Sequence, residues 1–85
     1  MNQAIQFPDR EEWLDSRQAI VFPALVNGMQ MMCAISGAVL AQRFGGDTPE
    51  EYLSLFRQHR WDLEDEAEQC IRQQEEDHQG VIWLS

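Results

Sequence analysis

The dipeptide Asn27-Gly28, set between two apolar runs, constrains this 85-residue chain more than any other feature. Both residues tolerate positive φ, which a two-residue type I′ hairpin turn requires at its two central positions. Such a turn sets Val26 opposite Met29, Ala24 opposite Met31, Phe22 opposite Cys33 and Ile20 opposite Ile35. Side chains alternate along strands, so these eight residues share one face. Ala19, Val21, Pro23, Leu25, Gln30, Met32, Ala34 and Ser36 share the other, which is more mixed. The first face is therefore expected to meet the core. Pro23 has no N–H to donate, and this register aims the missing bond away from the hairpin. The outer side of Ala19 to Val26 is thus either an edge or carries a short neighbour. Ala4 to Phe7 suits that place, expected beside Gln18 to Phe22, with Pro8 to Arg17 as the connecting loop.

Three helical stretches follow. Ser36 caps a short helix ending at Phe44, stopped by Gly45-Gly46. Thr48-Pro49-Glu50-Glu51 has an N-cap, a first-turn proline and the partner of a capping box. Tyr52, Leu53, Phe56 and His59 or Arg60 recur at helical spacing, and Leu63, Ala67, Cys70, Ile71 and Gln74 make a second such face. One helix from Pro49 to Gln74 would run about 39 Å, against a domain span of about 25–30 Å. A break is expected around His59 to Asp62, giving helices over 49–60 and 62–76 with Asp62 as the second N-cap. Glu68 and Arg72 are placed to pair at i, i+4. Glu75, Glu76 and Asp77 oppose the helix dipole, so that end should fray. Gly80 leads to a last strand, Val81 to Leu84.

Composition excludes several roles. The net charge is −9, from 15 acidic residues against 6 cationic ones, all arginine. Residues 1–46 hold 4 acidic and 3 basic residues, whereas 47–79 hold 11 and 3, so the charge sits on the helices. Such a chain repels phosphate backbones and anionic headgroups, so neither nucleic acid nor a membrane is expected as partner. The start lacks the basic and apolar regions of a signal peptide, and no apolar run approaches the roughly 20 residues of a membrane span. A cytoplasmic protein follows, with Cys33 and Cys70 as free thiols. No Cys/His spacing fits a structural zinc site.

Phe7-Pro8-Asp9, Val21-Phe22-Pro23-Ala24, Asn27-Gly28, Cys33-Ala34-Ile35-Ser36, Leu40, Phe44-Gly45 and Phe56-Arg57-Gln58-His59-Arg60, taken in order, resemble the YrdB-like family. This is a group of small bacterial proteins classed as a domain of unknown function. The chain departs from that pattern at Ala38-Val39, where a polar or acidic residue often precedes the leucine. The resemblance implies a small α+β domain with strands first and helices after, and offers no catalytic or ligand residues.

The candidate chemistry is sparse. Cys33 and Cys70 are the possible nucleophiles, but both fall on apolar faces, where a thiol behaves as an inert small hydrophobe. Arg57, His59, Arg60 and Trp61 form the one cluster where basic residues break the acidic background. Arginine's planar fork and tryptophan's stacking face suit an anion or carboxylate site. The plainer account has the cationic side chains closing a helix C-terminus and Trp61 plugging the core at the helix corner. Glu75, Glu76, Asp77 and His78 lack the preorganisation a metal demands and read as a solvated acidic end. Met29, Met31 and Met32 suit either a soft binding surface or gap filling. No GxSxG, P-loop, GxGxxG or HExxH pattern occurs.

The expectation is one α+β domain over 1–85. A small antiparallel sheet, built from an N-terminal strand, the hairpin and a C-terminal strand, packs against two or three helices. Function is expected through protein–protein contact, with no enzyme activity, cofactor or metal, a basic protein as partner, and a monomer or weak homodimer as the solution state. The alternative is a small-molecule or anion sensor, or a small enzyme, using Arg57, His59, Arg60 and Trp61. That alternative requires a hollow beside these side chains.

Overall fold

A computed structural model describes residues 5–85. Among them a five-stranded sheet carries three helices on one face. The strands are β1 (Ile5–Gln6), β2 (Glu12–Leu14), β3 (Ala19–Val26), β4 (Met29–Ser36) and β5 (Val81–Leu84). The helices α1 (Gly37–Phe44), α2 (Pro49–Gln58) and α3 (Arg60–Arg72) fill the stretch between β4 and β5.

The hairpin has the register the turn dictates. Asn27 and Gly28 take φ of 53° and 84°, and Val26 to Ala19 pair in order with Met29 to Ser36. Ile20, Phe22, Ala24, Cys33 and Ile35 lie on the face that meets the helices and are buried. Phe56, Leu63, Ala67 and Ile71 close over them, with the Phe22 and Phe56 rings 4.9 Å apart. Each fully buried Leu, Ile or Phe contributes about 1.5–3 kcal/mol.

The outer side of β3 differs from the expectation. Ile5–Gln6 pair with Val26–Leu25, at the hairpin tip, and not beside Gln18 to Phe22. Ala4, the expected first residue of that strand, lies outside the described residues. The stretch expected as a loop contains β2, which pairs Glu12, Trp13 and Leu14 with Val21, Ile20 and Ala19. The two short strands leave Phe22, Pro23 and Ala24 without an outer partner. Pro23 lies in that gap, where its missing N–H breaks no ladder bond.

The sheet is mixed where an antiparallel one was expected. β5 pairs parallel to β4, Met32 to Val81 through Ile35 to Leu84. A parallel return needs a crossover long enough to span the sheet, and the three helices supply it.

The helix signals act as the sequence suggests. Ser36 Oγ accepts from the Val39 N–H at 3.1 Å. Thr48 and Glu51 form both halves of the capping box. The break falls at His59, whose φ of −107° and ψ of 20° interrupt the helix. His59, not Asp62, occupies the N-cap position, and its side chain makes no capping bond. Asp62 lies inside the first turn, where its charge still suits the dipole. Length does not force this break, since the molecule extends 40 Å along its longest axis. The turn instead sends α3 back across the sheet towards β5.

The end of α3 also differs. The helix stops at Arg72, Gln74 takes a φ of 57°, and the Glu75 N–H donates to the Cys70 carbonyl at 3.0 Å. Asp77 is not part of a solvated end. Its Oδ1 accepts from the Gln79 and Val81 N–H groups, and its Oδ2 accepts from the Trp83 indole at 2.9 Å. These bonds, that to Val81 first, hold its carboxyl below the usual range and aim the chain into β5. Glu68 and Arg72 do pair, at 3.3 Å. No helix among the described residues is long and apolar enough to cross a membrane.

Candidate functional site

The corner between α2 and α3 gathers the sequence-singled cluster and then divides it. Arg57, Gln58, Arg60, Trp61 and Asp62 line an open hollow of about 500 Å³. Trp61 is 83% exposed, so it is not the core plug expected of it. Phe56, one turn earlier, fills the core instead. His59 does not line the hollow. Its ring stacks on Phe44, centroids 3.9 Å apart and planes within 6°. The helix break turns the imidazole towards α1 while its two neighbours face the opposite way.

Both arginines are anchored by a residue the sequence reading overlooked. Glu11 accepts from Arg57 Nε at 2.8 Å and from Arg60 Nη2 at 2.5 Å. Its side chain is only 8% exposed. Burial alone would raise its pKa, but the bonds from Arg57 and Arg60 outweigh that effect and hold it at about 2. Arg60 also lies near Asp9, at 3.4 Å, and Glu64, at 3.6 Å, with its guanidinium over the Phe56 ring. Glu11 is 46 positions from Arg57. No local pattern marks it, since Asp9, Arg10 and Glu12 surround it with charges of both signs.

The guanidinium of Arg60 is therefore committed to protein carboxylates. Arg57 keeps its terminal nitrogens towards solvent, its side chain being 57% exposed. Asp9, Glu11, Asp62, Glu64 and Asp65 outnumber the two arginines around the corner, so the field there is net negative. Trp61 stands in that field with Asp65 one turn on along the same helix.

None of the other candidates lines this hollow. Cys33 is fully buried, and burial followed by the nearby Cys70 pushes its thiol up to about 12. Cys70 is half-buried and also raised, by burial first and then by Glu75. Met31 packs on the core, Met32 lies on the opposite sheet face, and Met29 is 74% exposed beside the turn. Among the described residues no three His, Cys, Asp or Glu side chains converge as a metal-holding set.

Comparison with known proteins agrees with this architecture. A family model described as "Protein of unknown function (DUF1488)" matches residues 5–84. Uncharacterized protein YrdB of Escherichia coli (strain K12) is 68% identical over 84 residues, covering 99% of both chains. Its Shigella flexneri counterpart is 67% identical over the same span. A crystal structure of a protein of unknown function from the DUF1488 family of Shewanella loihica PV-4 superposes with a TM-score of 0.92. That protein is 38% identical, and the match covers 99% of this chain and 94% of that one.

Proposed function

The chain belongs to the DUF1488 family, and from that premise we propose that it is a non-enzymatic binding protein for a basic protein partner. The partner docks on the acidic face of α3, with Trp61 as its aromatic anchor. The exposure of Trp61 carries this reading. A tryptophan left in water forgoes the burial of some 150–250 Å², and tryptophan is enriched among residues that dominate protein interfaces. The indole face attracts cations, and the carboxylates of Asp62 and Asp65 reinforce that attraction. A lysine or arginine side chain over Trp61 would be held from both sides.

The test is affinity capture from native lysate at low and high salt, using the wild type, Trp61→Ala, and Asp62→Asn with Asp65→Asn. Basic proteins retained by the wild type at low salt, and lost both at high salt and in the variants, support the reading, because exposed ion pairs are screened. The same proteins retained by every variant overturn it.

A second reading rests on the hollow itself. Its volume of about 500 Å³ and the solvent-facing end of Arg57 suit a small anion that stacks on Trp61. His59 faces away from this space, which leaves it without an imidazole acid or base and favours binding over catalysis. Small anions that raise the melting temperature of the wild type but not of Arg57→Gln would support this reading.

A further inference from the structure

A small apolar hollow of about 180 Å³ lies on the sheet face away from the helices. Leu14, Val21, Met32 and Val81 line it, with Arg17 as its one charged lining residue. Register sets these four apolar side chains on that face. Val21 is 5% exposed, and Leu14, Met32 and Val81 are partly buried. We infer that the hollow is a binding site for a small aliphatic monocarboxylate, with the tail among the apolar side chains and the carboxylate on Arg17. The site is separate from the Trp61 corner, which lies on the helices.

Arg17 is held in place without being neutralised. Its backbone N–H donates to the Leu14 carbonyl at 3.2 Å in the turn between β2 and β3. Its Nη2 donates to Gln79 Oε1 at 2.7 Å, a neutral amide 62 positions away. Nε and Nη1 have no acceptor among the described residues. The acids nearest in sequence serve other donors. Asp15 Oδ1 accepts from Gln18 Nε2 at 3.1 Å, and Asp77 accepts from the Gln79 and Val81 N–H groups and the Trp83 indole. Arg43, Arg57, Arg60 and Arg72 are all ion-paired. Arg10 makes no ion pair among the described residues, but its hollow also holds Glu12, which would repel an anion. In a chain of net charge −9, Arg17 is thus the cation that offers an unneutralised charge beside apolar surface. A guanidinium matches a carboxylate in shape and charge. Size narrows the ligand further. The hollow equals the liquid volume of about six waters, well below the roughly 300–1,000 Å³ of a drug-sized pocket. A tail of about five carbons fills such a space, and its apolar walls give a phosphate or a sugar nothing to bond.

A ¹⁵N–¹H titration of the full chain with sodium hexanoate tests this. The amide signals of Leu14, Arg17, Val21, Met32 and Val81 should shift and saturate, with a dissociation constant on the order of 1 mM. Butanoate should bind roughly fifteenfold more weakly, since each lost methylene costs about fourfold. Hexanamide has the same tail without the charge and should bind about tenfold more weakly. Hexanoate should lose about the same factor on Arg17→Gln, whereas Arg10→Gln should bind it as the wild type does. The hexanamide comparison uses the wild type alone, so it decides the matter even should Arg17→Gln misfold. Four results would overturn the inference: no saturable shift at these amides up to about 30 mM hexanoate, hexanamide binding as tightly as hexanoate, a folded Arg17→Gln that binds as well as the wild type, or shifts centred on Arg57 and Trp61 instead.

Discussion

Glu11 accepts a 2.5 Å hydrogen bond from Arg60, joining the residue before β2 to the first residue of α3. The bond spans 49 positions of sequence and holds the helix corner against the sheet edge. Its energetics are readable by titration. The Glu11 carboxyl lies at about 2 in the folded chain, against an ordinary value of 4.5. A lowered folded pKa means that the contribution is complete above the unfolded value and is lost as pH falls from 4.5 towards 2. Glu11→Gln should therefore cost about 1–2 kcal/mol at neutral pH, lowering the melting temperature by roughly 5–10 °C. The gap between wild type and variant should close as the solution is acidified. A gap that stays constant down to the acid limit would contradict this account.

Gly37 opens α1 directly beneath an aromatic pair. A Cβ there would lie 2.8 Å from Tyr52 Cε2 and 3.1 Å from Trp13 Cη2. These two rings stack on each other with centroids 5.6 Å apart, so neither is free to yield. Alanine favours helix over glycine by about 1 kcal/mol, but overpacking costs about 1–3 kcal/mol. Gly37→Ala should be net destabilising in a denaturant titration, despite its better helix propensity.

The thiols should differ in reactivity. Cys33 is fully buried and raised to about 12, so a disulfide reagent should not reach it in the folded state. Cys70 is half-buried and should react slowly. At most one thiol per chain should titrate natively, and both after denaturation. Because the unfolded thiol ionises near 9 and the folded Cys33 thiol near 12, stability should also decline as pH rises above 9.

The hairpin and the caps at Ser36 and Thr48 were legible in the sequence because each is a local decision, whereas the break near His59 was expected from a helix length that does not impose it, with a cap assigned to Asp62. Asn27-Gly28 fixes a register through its own backbone, and Thr48 with Glu51 satisfies donors three residues away. What the sequence hid were long-range choices. Glu11 bonds arginines 46 and 49 positions away, and no local pattern marks it. Trp61 was misread because hydrophobicity suggested burial, whereas helix phase gave the core position to Phe56 and left Trp61 outside. The direction of β5 depends on where three helices deliver the chain, which no residue of Val81 to Leu84 specifies alone. Within the candidate cluster, the sequence placed Arg57, Arg60 and Trp61 together, but separated neither His59 nor the charge already held by Glu11.

The tryptophans offer a contrast in stability. Trp61→Ala removes a side chain with little contact and should change stability by no more than about 0.5 kcal/mol. Trp13→Ala removes the stacking partner of Tyr52 beside the core and should cost about 3–5 kcal/mol. Chemical denaturation of both variants would measure the difference directly. An equal loss in the two would contradict the placement of Trp61 outside the core.

The most direct test of the docking corner is a ¹⁵N–¹H spectrum read at the three indole groups during titration with an arginine- and lysine-rich peptide. Trp13 Nε1 lies 3.5 Å from an Asp15 carboxylate oxygen and Trp83 Nε1 donates to Asp77, whereas no described residue accepts from the Trp61 indole. The account predicts that the Trp61 signal shifts on binding and returns as salt is added, while those of Trp13 and Trp83 hold still. A Trp61 signal that never moves, or a response led by Trp83 on the sheet face, would contradict it.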